Sequence, residues 1–144
     1  MNSNPLTITT LVQEAHEDAV KHGFWDNPPE FGTSIALIHS ELSEALEEVR
    51  ADRPAKYYPC NAGGMCCEDR DWNATCGSRV WNPETPDIYC KAKSNKPEGW
   101  AVELADAVIR IADLCGHEGI DLEAIIREKM EYNATRPYKH GKSF

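Results

Sequence analysis

His39-Ser40-Glu41-Leu42-Ser43-Glu44-Ala45-Leu46-Glu47-Glu48 is the stretch on which the reading of this chain turns. Its Leu42, Ala45 and Leu46 continue an apolar series begun by Ile35 and Ile38 and closed by Val49, and that spacing keeps one side of a helix apolar. The helix is expected to open at Gly32-Thr33-Ser34, with Thr33 or Ser34 as its N-cap, and to run to about Ala51. Ile35, Ile38, Leu42, Ala45, Leu46 and Val49 then form its buried stripe. Glu41, Glu44 and Glu48 stand at i, i+3 and i+7, within roughly 60° of one another on the helix wheel. They border the apolar stripe and do not oppose it. Like charges at these spacings repel, so the strip weakens the helix until cations neutralise it.

Further along, Glu103-Leu104-Ala105-Asp106 repeats the arrangement. Its helix is expected from Pro97 to about Cys115, with Leu104, Val108, Ile111, Ala112 and Cys115 as the core stripe and Gly116 as terminator. Asp113 lies two turns beyond Asp106. Antiparallel packing of the two apolar stripes would let the carboxylates face each other across a groove. Such an oxygen-rich set suits Mg²⁺ or Mn²⁺. No paired histidines stand beside it, which argues against zinc there. Either acidic motif alone is more often a solvated helix face. Two of them, each at the edge of an apolar stripe, leave a metal site and a solvated face equally open.

Outward from these helices the chain reads as more helix and one long interruption. Ile8, Leu11, Val12, Ala15, Ala19 and Val20 predict a helix over 7–22 with Gly23 at its C-terminus. Phe24-Trp25-Asp26-Asn27-Pro28-Pro29 follows as a stiff loop. Asp121 caps a last helix that turns Leu122, Ile125, Ile126 and Met130 inward and ends near Thr135, before Pro137. The basic tail runs from Tyr138. Residues 51–96 show no sustained period and hold five of the six cysteines, so they read as an irregular insertion with room for a short hairpin. The fold class expected is all-α: a single domain over 1–144, a helical bundle with 51–96 inserted between the two acidic helices.

With 144 residues the chain can bury only a shallow core, and small helical domains complete such cores by oligomerising. The formal net charge of −9 argues against a protein that grips nucleic acid by its phosphates. It leaves room for a phosphate substrate if metal ions lie between. No apolar run approaches the ~20 residues of a membrane span. No basic segment followed by an apolar stretch stands at Met1–Pro5, so a cytoplasmic protein with no membrane partner is expected. Cysteines in that setting are free thiols or metal ligands more often than disulfides. Cys60, Cys66, Cys67, Cys76 and Cys90 contain no C-x-x-C pair. Free thiols, disulfides, or a structural Zn²⁺ on three or four thiolates all remain open for them. Cys115 reads as a small buried hydrophobe.

Glu41-x-x-Glu44 followed by Glu103-x-x-Asp106, with the flanks Ala36–Glu48 and Glu103–Arg110 and the segment Lys129-x-x-x-Asn133-x-x-Arg136, resembles the signature of the MazG-like all-α nucleoside triphosphate pyrophosphohydrolases. The resemblance covers roughly 6–50 and 97–141. In that family the two motifs are joined by a short connection, so 51–96 is a departure. The resemblance implies a helical bundle of that type, working as a homodimer or homotetramer. It implies Mg²⁺ (or Mn²⁺) held by Glu41, Glu44, Glu103 and Asp106, with Glu48 as a further ligand or supporting group. The reaction implied is hydrolysis of a nucleoside or deoxynucleoside triphosphate to the monophosphate and pyrophosphate, for control or cleansing of the nucleotide pool. Glu41 or Glu44 would orient the attacking water.

Lys129, Asn133 and Arg136 share a helix face and can hold a triphosphate tail, or simply keep that face soluble. Lys139 and His140 offer weaker contacts from the tail. Trp25 and Phe24 can stack on a base or plug the end of the first helix. His16 and Gln13 can hydrogen-bond a base or serve the fold alone. Two other functions stay open: a hydrolase of nucleoside diphosphates or alarmones, and a non-catalytic helical interaction module with a metal-stabilised cysteine loop.

Overall fold

In the computed structural model of the protein, residues 5–59, 79–81, 88–90 and 96–137 are described. They form α1 (Ile8–Lys21), α2 (Phe31–Arg50), β1 (Arg79–Trp81), β2 (Ile88–Cys90), α3 (Trp100–His117) and α4 (Leu122–Ala134). Helix dominates, as the apolar periodicity requires. The strands make one short antiparallel ladder, with Arg79 opposite Cys90, Val80 opposite Tyr89 and Trp81 opposite Ile88. Among the described residues no helix is long and apolar enough to cross a membrane.

The helix ends follow local chemistry. Thr7 and Thr10 cap α1 reciprocally, and Gly23 leaves it with φ +79°, a conformation glycine takes without strain. The α2 helix starts ahead of the expected cap. The Glu30 carbonyl accepts from the Thr33 and Ser34 amides, so both residues sit inside the first turn. The α3 helix begins at Trp100 and not at Pro97. Glu98 is held back in a two-way backbone bridge with Tyr57, both bonds 2.9 Å. Gly99 then turns the chain at φ +115°, where a Cβ would lie 2.6 Å from the Pro54 carbonyl oxygen. Gly116 does not end α3; the helix passes through it to His117, and Gly119, at φ +65°, follows the true end. Asp121 caps α4 as expected, accepting from the Ala124 amide at 3.0 Å.

The chain divides into two compact units. One comprises residues 1–38 with 108–144, the other 39–107, and both boundaries fall inside helices, α2 and α3. In the first unit, Ile38, Ala112, Leu114 and Cys115 are buried. There Glu123 of α4 accepts from the Thr9 amide (3.2 Å) and hydroxyl (2.8 Å) of α1. In the second unit, Ala45, Tyr57 and Ala107 are buried together with two carboxylates, Glu41 and Glu103.

The expected core stripes are only partly covered. On α2, Ile38 and Ala45 are buried, while Ile35, Leu42, Leu46 and Val49 are exposed. On α3, Ala112 and Cys115 are buried, while Leu104, Val108 and Ile111 are exposed. Val20, Ile125 and Met130 are exposed as well. Periodicity shows which side of a helix is apolar; it does not show that the same chain covers that side.

Candidate functional site

The second unit gathers the acidic helices' carboxylates. Glu41 and Glu44 project from successive turns of α2, and Glu103 from the first turn of α3. One carboxylate oxygen from each lies within 4.8 Å of the others. Glu41 is only 7% exposed and Glu103 only 8%, whereas Glu44 is open to solvent. Burial pushes the Glu103 carboxyl above its ordinary pKa, and the charges of Glu44, Asp106, Glu41 and Glu98 push it further. A proton or a cation is therefore favoured there. Ser40 donates its hydroxyl to Glu44 at 3.2 Å.

Asp106 is half-buried and acts on Glu103 through its charge, but it stands outside the trio whose oxygens converge within 4.8 Å. Lys96, which the sequence reading did not single out, pairs with Glu98 at 2.9 Å. That bond chiefly raises its ammonium pKa, and the negative field of Glu103 and Asp106 adds to it. The donor set fits a hard divalent ion: the convergent groups are all carboxylates, with no histidine or cysteine among them.

Glu48 has other partners. Arg53 reaches one of its oxygens at 3.1 Å and the Tyr57 hydroxyl donates to the other at 3.2 Å. Arg53 also donates to the Tyr57 hydroxyl at 2.7 Å. Burial raises the Tyr57 pKa, which keeps its hydroxyl a donor. This triangle ties the end of α2 to the segment that bridges to Glu98. Arg53 and Tyr57 carried no motif, because only the fold brings them to Glu48.

A different cluster occupies the first unit. One oxygen of Asp113 on α3 meets His16 Nδ1 of α1 at 2.9 Å and accepts from Trp25 Nε1 at 2.8 Å. The Trp25 indole stacks on His117, ring centres 3.7 Å apart and planes within 8°. His16 meets both rings edge-on, at 5.6 Å and 5.9 Å. Gly116 lets α3 approach this closely: a Cβ there would lie 2.5 Å from the His16 Cβ. The sequence offered His16 and Trp25 either as base contacts or as structural groups, and noticed Asp113 only as a continuation of the acidic strip. Its partnership with both, and that of His117 with Trp25, needed the fold.

Lys129, Asn133 and Arg136 are exposed at the C-terminal end of α4, with the Lys129 ammonium 5.0 Å from the Tyr132 ring centre. Phe24 is exposed, and Gln13 is spent on Glu17 at 2.8 Å. Cys115 is buried and its thiol pKa is raised by that burial, as a packing residue's would be. Cys60, Cys66, Cys67 and Cys76, the side chain of Cys90, and Lys139 and His140 lie outside the described residues, and with them the zinc, disulfide and thiol readings. No family model matches the chain, and no curated protein or solved structure matches it either.

Proposed function

We propose that the protein is a metal-dependent nucleoside triphosphate pyrophosphohydrolase of the MazG-like kind, cleaving between the α- and β-phosphates. The observation that carries this is the convergence of Glu41, Glu44 and Glu103, with one carboxylate oxygen of each within 4.8 Å of the others and two of the three nearly buried. A nearly buried carboxylate such as Glu103, its pKa raised by burial and by neighbouring acids, is costly in its charged form unless a positive charge offsets it. Mg²⁺ or Mn²⁺, when bound, would neutralise the triphosphate and acidify a water for in-line attack.

The chain's own groups have separable tasks in this reading. Glu41, Glu44 and Glu103 hold the ions, and Asp106 supplies the fourth carboxylate. The exposed Glu44, steadied by Ser40, is placed to orient the attacking water or take its proton. Glu48, fully engaged by Arg53 and Tyr57, fixes the end of α2. Lys129, Asn133 and Arg136 are the groups proposed for the phosphate tail, and His16 and Trp25 for the base. Support for these contacts comes from their chemistry and from the resemblance in sequence.

The exposed apolar residues favour self-association. Leu42, Leu46 and Val49 lie at i, i+4 and i+7 on α2 and are each about half exposed. A small domain that leaves such a stripe open has a core left to complete, and a second copy presents the same stripe. The proposed working form is a cytoplasmic homodimer or homotetramer.

The deciding experiment is pyrophosphate release from a panel of canonical and modified ribo- and deoxyribonucleoside triphosphates, with Mg²⁺ and with EDTA. Chelator-sensitive release from some of them is expected. Silence on the whole panel from folded protein would overturn the reading, in favour of diphosphate or alarmone substrates or of an interaction module.

A further inference from the structure

We infer that Asp113 is a positioning residue for base recognition: through one carboxylate oxygen it fixes His16 and Trp25 into a preformed aromatic surface. This rests on the nucleotide reading above and deepens it. Two donors from different elements end on that oxygen, His16 from α1 at 2.9 Å and Trp25 from the turn after α1 at 2.8 Å. A carboxylate oxygen only accepts, so Nδ1 of His16 carries a proton, and Nε2 is the ring atom left to meet a ligand. Asp113 thereby sets the orientation of His16. It also sets the plane of the indole, which lies flat against His117.

The cluster has the marks of a surface kept for a ligand. Its carboxylate, imidazole and indole are only partly covered: the side chains of His16 and Asp113 are 26% and 22% exposed, and His117 is exposed. Flat π-surfaces with polar atoms at their edges are what a nucleobase stacks on and hydrogen-bonds to. A glycine inside a helix is disfavoured, yet Gly116 stands there and admits His16 at a distance no other residue would allow. Asp113 touches two of the rings and acts on the base through them.

Two measurements test this together. In EDTA, saturable quenching of tryptophan emission by nucleoside monophosphates is expected from the wild type, and Trp25→Phe identifies the share due to Trp25. Asp113→Ala should weaken that binding by about tenfold or more, because the two hydrogen bonds that aim the rings are lost. Asp113→Asn, whose amide oxygen can still accept from both donors, should recover most of it. With Mg²⁺, Asp113→Ala should raise KM for the nucleotide far more than it lowers kcat, and the loss should fall about tenfold harder on nucleotides than on inorganic tripolyphosphate, which has no base. Equal losses on both substrates, with no rescue by Asn, would show a purely structural role and overturn the inference. Lack of any turnover by the wild type would count against the hydrolase reading alone. Absence of saturable quenching by the wild type would overturn the role of Asp113.

Discussion

Glu103 and Asp113 are carried by the same helix, α3, and their carboxylates meet opposite surroundings. Glu103 is buried among other acids, and both its burial and its neighbours' charges favour its protonated form. Asp113 accepts from an imidazole and an indole through one oxygen. The comparison teaches what each cluster is prepared for. The fold holds Glu103 among acids that disfavour its charge, a cost that a divalent ion would remove in the proposed reading. A carboxylate satisfied by two ring donors is finished as it stands, and it serves to aim those rings. In the proposed reading the first cluster takes an ion, and the second is ordered without one.

The comparison breaks most visibly if the acids can be deleted without consequence. Glu44→Ala and Asp106→Ala should each lower chelator-sensitive pyrophosphate release by at least about a hundredfold, the scale of losing a metal ligand or general base. The helical circular dichroism should stay that of the wild type. Retained turnover in either variant would remove the carboxylates from the chemistry.

Next in size is a stability effect that runs against intuition. Glu103 has a raised pKa, so its charged form costs folding energy at pH 7. Glu103→Gln keeps the shape and drops the charge. It should raise the melting temperature in EDTA while abolishing the further rise expected of the wild type in millimolar Mg²⁺. A variant less stable than the wild type in EDTA would mean that Glu103 is satisfied by its surroundings, as Asp113 is, and the contrast would collapse.

The glycines sharpen it further. Gly99→Ala places a Cβ 2.6 Å and 2.7 Å from two backbone carbonyl oxygens at φ +115°, and should destabilise by about 2–4 kcal/mol in thermal or urea unfolding. Gly116→Ala meets the His16 Cβ at 2.5 Å and Cγ at 2.9 Å, so α1 must shift, but the backbone is ordinary helix and adds no strain of its own. It should cost less, while altering the tryptophan emission that reports the Trp25–His117 stack.

How far the sequence reached follows from what periodicity encodes. The type and order of the helices were legible, and so was the side of α2 that Glu41 and Glu44 share, because i, i+3 spacing fixes it; of the four carboxylates expected to converge, three do, and Asp106 stands outside the trio. Coverage of the apolar stripes was not legible. Leu42, Leu46, Val49, Leu104, Val108 and Ile111 are exposed, and the periodic pattern is the same whether this chain or another copy covers them. Helix ends were missed where a long-range contact set them. Gly116 lies inside α3 because it makes room for His16, and α3 starts late because Glu98 is bridged to Tyr57. Glu48 was offered as a further ligand or supporting group from its place on the strip and from the resemblance, and only the fold supplies the Arg53 and Tyr57 that engage it.

The smallest effect separates two glutamates by the sign of their response to acid. Glu123 accepts from Arg127 at 2.7 Å and from Thr9, and these bonds lower its pKa from the ordinary value of 4.5. Its contribution to stability is complete above that value and fades as pH falls through the lowered one. Glu103 works the other way: its penalty is complete above its raised pKa and disappears as pH falls towards the ordinary value. Acidifying the metal-free protein should therefore first relieve the second unit and only later loosen the α1–α4 docking of the first. Glu123→Gln should flatten the later, acid-side fall in melting temperature and leave the earlier rise intact, while Glu103→Gln should do the reverse. Because Glu123 lies at the surface, the change will be slight and will shrink in high salt. An unchanged acid-side slope in Glu123→Gln would mean that the Thr9 and Arg127 bonds hold α4 no better than water does.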